Sequence, residues 1–404
     1  VNKSVSAFLS MAVAALMLMA TGAALVSAQQ PDAPGPPFDV VPEIGFSPGE
    51  QMTQNEIEER VKNMTQIAEE RKMFGMLTYD DGAAEGYFVK FTHNETTGQL
   101  SNYSVRTGEE YTDVFLTVSM EDFAPDDNRV AGSFFAQWNN SDRMMVQNNP
   151  TSLIKVSSEA SVNVSFMLAD GIEAGEVVTN GERQTVNLTG EGVSSVIAVG
   201  NGSISLDNTT DDVYVNVTAA DGNLFFRMMP YFADPDTANM MSDAVSDGRI
   251  SNELAILARD GDALSVETAY QPGYKMEMSE VRDDGMELEL SSDKPDGKVM
   301  VVVFDDETLD GSQELSVTLN GVELTEGELG EVLAATGNQT GDAMYALIEE
   351  EGTYHLVVYV PHFSTQTLEV DTVAAITEEI CPAVCAVAAL ALLAVPVMLI
   401  RRRR

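Results

Sequence analysis

From residue 76 to 371, apolar and polar positions alternate over short stretches that turn residues interrupt. Val162-Asn163-Val164-Ser165-Phe166 and Val213-Tyr214-Val215-Asn216-Val217-Thr218 alternate strictly. A period of two puts one set of side chains on a core face and the other in solvent, which predicts half-buried strands. Val114-Phe115-Leu116-Thr117-Val118 is nearly continuous, as in a strand covered on both faces. Asn180-Gly181, Asp221-Gly222 and Asn320-Gly321 are tight-turn pairs, because both residues tolerate the positive φ of a hairpin turn. Further strand-like runs are 76–79, 86–92, 101–106, 111–119, 263–269, 274–281, 286–290, 298–304, 315–319, 343–348, 354–360 and 365–370. The pattern predicts a mainly β chain with one or two β-sandwich-like ectodomains, a first β-rich domain over 76–262 and a second over 263–371. A stacked β-solenoid is the alternative, although no repeat of fixed period occurs. Residues 234–246 read as a short helix, 250–257 as helix or strand, and 326–335 as a helical insertion.

Outside this region the patterning changes. Residues 29–47 form a Pro-rich linker, stiff and without packing periodicity. Over 48–75, Ser47, Pro48 and Glu50 make a helix start. Ile57, Val61, Met64 and Ala68 form one apolar stripe, and Gly75 is a stop. That predicts an N-terminal amphipathic helix. Lys3, the apolar stretch Ala7–Leu25 and the small residues Val26-Ser27-Ala28 predict a signal peptide over 1–28; an uncleaved anchor is the alternative. After a short linker, 372–379, residues 380–400 carry no charge, and Arg401–Arg404 follow. The length suits a transmembrane helix. The Arg tail then lies in the cytoplasm and the bulk of the chain outside.

Glu378-Glu379-Ile380-Cys381-Pro382, the Ala/Leu stretch and the terminal Arg cluster resemble the Cys-Gly-Pro type of C-terminal sorting signal of archaeal cell-surface proteins. The resemblance implies processing of the tail and attachment through Cys381. Here Cys381 is followed directly by Pro382, with no Gly between them. Two small apolar residues, Cys381 and Cys385, in a membrane helix are the plainer reading. Val360-Pro361-His362-Phe363-Ser364-Thr365 and the stretch 91–105 are similar in texture to β-domains of methanogen- and halophile-type surface glycoproteins.

Charge narrows the partners. The chain holds 22 Lys+Arg against 64 Asp+Glu, a net −42, and a surface that negative repels phosphate backbones, so nucleic acid is not a partner. Ten N-glycosylation sequons stand at Asn63, Asn94, Asn102, Asn139, Asn163, Asn187, Asn201, Asn208, Asn216 and Asn338, which suits an exported surface glycoprotein. Catalytic motifs are missing: no zinc-protease motif, no nucleophile elbow and no phosphate loop. His355 and His362 make a conceivable metal pair, with two ordinary strand histidines the stronger alternative. The acid pairs at 126–127, 211–212, 283–284 and 305–306 allow Ca²⁺ through oxygen ligands or form a solvated acidic face. Adjacent methionines at 144–145, 228–229 and 240–241 read as core filling over a soft binding surface, and Trp138 as a buried core residue over a sugar platform.

Three functions follow, in descending order. The first is a membrane-anchored surface glycoprotein with a structural or interaction role in an archaeal envelope, S-layer-associated or adhesion-like. Its partners would be the membrane and other envelope proteins or glycans. The second is an extracellular ion- or polysaccharide-binding module. The third is a carboxylate hydrolase, which needs two carboxyl groups facing each other across a cleft. No enzymatic activity and no cofactor are expected.

Overall fold

A computed structural model describes residues 73–373, apart from 126, 131–134, 210–211, 221–222, 230–233, 260–261, 272, 283, 337–340 and 351. The expected signal peptide, Pro-rich linker, membrane segment with Cys381, and the expected helix as far as residue 72 lie outside the described residues. So do Asn63, Asn338 and the Asp221-Gly222 turn. Met73 and Phe74, at the end of the expected helix, are non-helical and buried. Among the described residues, no helix is long and apolar enough to cross a membrane.

The chain is mainly β, in four sheets. The first sheet runs, in spatial order, β1 (Thr78–Asp80), β2 (Ala83–Glu85), β3 (Val89–His93), β4 (Leu100–Thr107), β5 (Glu110–Met120), β10 (Val162–Leu168), β15 (Tyr214–Ala219) and β14 (Gly202–Asp207). The second runs β11 (Glu173–Asn180), β12 (Arg183–Gly190), β13 (Val193–Val199), β16 (Asn223–Met228), β9 (Ile154–Ser158), β8 (Asp142–Gln147), β7 (Phe135–Asn139) and β6 (Asp127–Val130). The third is β18 (Asp262–Ala269), β17 (Ile250–Arg259), β21 (Lys298–Asp305), β26 (Thr353–Val360), β25 (Met344–Glu350) and β24 (Thr325–Glu326). The fourth is β19 (Tyr274–Arg282), β20 (Gly285–Ser292), β27 (Gln366–Thr372), β22 (Leu315–Leu319) and β23 (Val322–Glu323). Pairing is antiparallel except β17 with β21 and β24 with β25.

Three apolar cores join the four sheets into a stack. The first lies between sheets one and two and holds Trp138, Tyr103, Phe115, Phe166 and Phe226. The third lies between sheets three and four. The middle core joins the two sandwiches, sheet two to sheet three, through helices α1 (Pro235–Ser246) and α2 (Leu329–Ala334). The central strands of sheets two and three are therefore covered on both faces and read as apolar runs such as Val299-Met300-Val301-Val302-Val303-Phe304. The methionine pairs follow the same logic. Met144 and Met228 enter the first core, while their neighbours Met145 and Met229 enter the middle one.

Two expectations are corrected. The boundary expected between 262 and 263 falls inside the β17–β18 hairpin, where Ala258 pairs with Ala263 and Arg259 with Asp262. The second sandwich therefore begins at Ile250, and α1 lies in the layer between. The run Val114–Val118 belongs to the outer first sheet, with one face toward solvent. Its apolar continuity comes from a bulge: Tyr103 pairs with Phe115 and Ser104 with Asp113, which leaves Val114 as the extra residue. Val114 and Phe115 are both fully buried as a result.

Local chemistry explains the punctuation. Asp234 caps α1, accepting from the backbone N–H of Asp236 and Thr237, with Pro235 opening the helix. Asn320 and Gly321 both take positive φ in the β22–β23 hairpin. Gly202 is required for a different reason: a β-carbon there would run into the carbonyl oxygen of Thr218 on β15. Gly202→Ala is expected to cost about 1–3 kcal/mol through this overlap, read from a denaturant melt. Unchanged stability would mean that β14 does not lie this close to β15.

Candidate functional site

Two features stand out: a polar outer face on the first sheet and a cleft where the two sandwiches meet.

Register places the face residues. Across β14, β15, β10 and β5, Ser205, Asn216, Ser165 and Ser119 form one row, and Ser203, Thr218 and Asn163 form the next. The rows are cross-linked by side chains. Ser165 Oγ donates to Asn216 Oδ1 at 2.7 Å, Thr218 Oγ1 to Asn163 Oδ1 at 2.8 Å, and Asn163 Nδ2 to Glu121 Oε2 at 2.7 Å. In so acidic a chain this face is built mainly of hydroxyls and amides. Asn163 and Asn216 stand on it, and Asn102, at positive φ, stands exposed on β4 of the same sheet. Asn94, Asn201 and Asn208 are exposed in turns. The remaining described sequons differ. Asn187, between inward-facing Val186 and Leu188, points the other way, under α1, and accepts from Ser246 Oγ at 2.9 Å. Asn139 is half-buried at the end of β7 and accepts from Gln137 Nε2.

The cleft has a volume of about 1560 Å3. Its second-sheet wall is set by register. Phe225 and Lys155, paired across β16 and β9, line it, while their row runs on through Ala198 and Met145 into the middle core. Arg183 and Asn223 sit one step along on the same face. The opposite wall comes from the second sandwich and carries Glu267, Tyr270, Gln271, Tyr274 and Lys294. Burial pushes the Lys155 ammonium down to about 8, with Glu267 pulling it back up and Arg143 pushing it further down. Burial likewise lowers Arg183 to about 10, against the pull of Asp247. Glu267 is raised by burial, against the Met276 N–H and the Asn252 amide that donate to its Oε1 at 2.8 and 2.5 Å. Groups shifted this way in a cleft mark a functional-site candidate.

Beneath the cleft, the middle core holds a charged cluster. Arg227 of β16, fully buried, pairs through Nη2 with Glu253 Oε2 of β17 at 2.5 Å, and its Nε donates to the Tyr270 hydroxyl. Tyr270 donates in turn to Glu253 Oε2 at 2.8 Å. His355 lies near this pair, pushed down to about 4 by burial.

The other sequence candidates are dispersed. His355 is buried in β26 while His362 is exposed beyond its end, so the two do not form a pair. Asp305 is buried and accepts from Thr308 N–H at 2.8 Å, while Asp306 is exposed. No group of three or more His, Cys, Asp or Glu suited to a metal occurs among the described residues. Trp138 is fully buried with His93 stacked on it at 4.2 Å, so it offers no platform to a sugar. Sequence reasoning missed the cleft and the Arg227 cluster. The one signal for the latter was a base inside the apolar run Leu224-Phe225-Phe226-Arg227-Met228.

No protein-family profile and no curated protein matches the chain. Among solved structures, a mutant glycoside hydrolase family 81 protein from Clostridium thermocellum aligns with a TM-score of 0.31 and 9% identity, over 73% of this chain and 35% of its own. The chain thus spans about a third of that protein's length. A likeness so slight identifies neither fold nor chemistry.

Proposed function

We propose that the chain is an exported, membrane-anchored surface glycoprotein with a structural or interaction role in a cell envelope, of the archaeal S-layer-associated or adhesion type. What supports this reading is the placement of the sequons. Five described ones, Asn94, Asn102, Asn163, Asn201 and Asn208, are exposed, and Asn163 stands with Asn216 on the hydroxyl- and amide-rich outer face. Glycans there would cover the cross-linked hydroxyls and amides of that face. The apolar segment 380–400 with its Arg tail would hold the stack at the membrane.

The test is protease shaving of intact cells, followed by glycopeptide mapping. Peptides from 73–373 should be released without lysis. They should carry glycan at the exposed sequons, and the Asn187 peptide should be bare because α1 covers that side of β12. Peptides that appear only after lysis, or that are bare at every exposed sequon, would sink the reading.

A further inference from the structure

The geometry points to a self-formed amide bond between the Lys155 side chain on β9 and the Asn223 side chain on β16, with Glu267 of the second sandwich moving the protons. All three residues line the cleft. Register sets the first two side by side, and the third stands on the facing wall.

Placement is the first observation. Lys155 pairs with Phe225, and Ser157 with Asn223, so Lys155 and Asn223 are diagonal neighbours on adjacent strands. Residues so placed lie about 7–8 Å apart, within reach of a long side chain. They share a face, since Lys155, Phe225 and Asn223 all border the same space. Arg143 belongs to the Asn223 row, because it too pairs with Ser157, and its charge reaches the Lys155 ammonium.

The second observation is the state of the groups. An amine attacks a carboxamide only as the neutral base. Burial brings Lys155 down to about 8, so a share of it is neutral at a pH where a solvated lysine holds its proton. Glu267 is close enough for its charge to act on the same ammonium. Burial raises Glu267, which favours its neutral carboxyl. Asn252 and Met276 both donate to Oε1, so the proton of that carboxyl belongs on Oε2, the oxygen left to serve the cleft.

The third is what the sandwiches lack. The two cysteines, Cys381 and Cys385, both follow the last strand, so no disulfide crosses either sandwich.

The step balances without an outside reagent. Lys155 Nζ adds to Asn223 Cγ while Glu267 gives its proton to Oδ1. The Glu267 carboxylate takes a proton from Nζ and passes it to Nδ2. It recovers the proton on Oδ1 as the Cγ–Nδ2 bond breaks and ammonia leaves. One amide replaces another, and Glu267 ends as it began. Because Glu267 comes from the other sandwich, the bond forms only after the two have docked. It then locks β9 to β16 at the centre of sheet two. Neither glycans nor membrane anchoring enter this inference, so it fails independently of the proposed function.

The test is peptide mapping of the purified full chain, denatured and digested with trypsin and chymotrypsin. The fragments that hold Lys155 and Asn223 should emerge joined, lighter than their sum by one ammonia, and trypsin should not cut after Lys155. Glu267→Gln should slow the joining about a hundredfold or more, and Lys155→Arg should abolish it. Glu267→Asp, which keeps an acid, should join faster than Glu267→Gln, a ranking that impaired folding alone does not give. Separate fragments in the native chain, one ending at Lys155, overturn the inference whether or not the variants fold. Joining as fast in Glu267→Gln as in the native chain overturns the part given to Glu267.

Discussion

Glu253→Ala is expected to destabilise the protein by about 3–5 kcal/mol, measured by denaturant unfolding with probes in each sandwich. The cause is the charge left behind. Arg227 is fully buried in the slab between the sandwiches, and its guanidinium is held by Glu253, Tyr270 and the Met229 sulfur. Without Glu253 it would remain a buried cation with only neutral partners. The pair spans the two sandwiches, Arg227 on β16 of sheet two and Glu253 on β17 of sheet three, so its loss should also separate their unfolding transitions. A combined variant, Arg227→Met with Glu253→Leu and Tyr270→Phe, is expected to recover most of the loss, because apolar groups of similar volume replace a buried ion pair at little cost. A cost below about 1 kcal/mol for Glu253→Ala would mean that water reaches Arg227 and that the sandwiches are not locked by this contact.

How far the sequence revealed these features depends on where the physics is local. Strands β10 and β15 were legible because one face of each is buried: Val164 and Phe166 point inward while Asn163 and Ser165 point out. The helix at 235–246 was legible through Met240, Met241, Ala244 and Val245, the residues it turns to the middle core. The covering of strands on both faces left a true signal in 299–304 and in the paired methionines. Its imitation in Val114–Val118 arose from a bulge, which a pattern of polar and apolar positions does not distinguish. The stacking of two sandwiches was not legible, since it rests on α1 and α2 filling the gap between two sheets whose inner faces look like any other core. The cleft was hidden for a related reason. Lys155 and Arg183 stand on β9 and β12, and the wall that carries Glu267 faces them only after the second sandwich docks. The sequons show the limit most plainly. Asn163 and Asn187 carry the same motif between apolar neighbours, and only the placement of α1 over one side of sheet two separates the exposed one from the covered one.

Acid should expose the cost of two buried imidazoles. In the unfolded chain a histidine titrates near 6.5. Burial pushes both His93 and His355 down to about 4 in the folded protein. Between these values the unfolded chain binds protons that the native chain does not, so stability rises with pH across the window and is lost as pH falls from about 6.5 to about 4. His355 accounts for about 3 kcal/mol at the acid end of that window, and His93, partly screened by solvent, for less. Their surroundings offer an imidazolium little. His93 stacks on Trp138, with only the Tyr79 hydroxyl at 3.4 Å from its Nδ1. His355 has the pull of Glu253 offset by the push of Arg227. The many carboxylates act in the opposite direction as the chain's self-repulsion fades, so the raw acid curve mixes two effects. A paired variant isolates the histidines. His93→Phe keeps the stack and His355→Met keeps the packing, and neither new side chain takes up a proton. Measured from pH 7 to pH 4, the wild type should lose more stability than the double variant, with the larger share from His355, the more deeply enclosed of the two. Parallel curves for the two proteins would show that the imidazoles accept protons inside the fold, and hence that water already enters both the Trp138 core and the layer between the sandwiches.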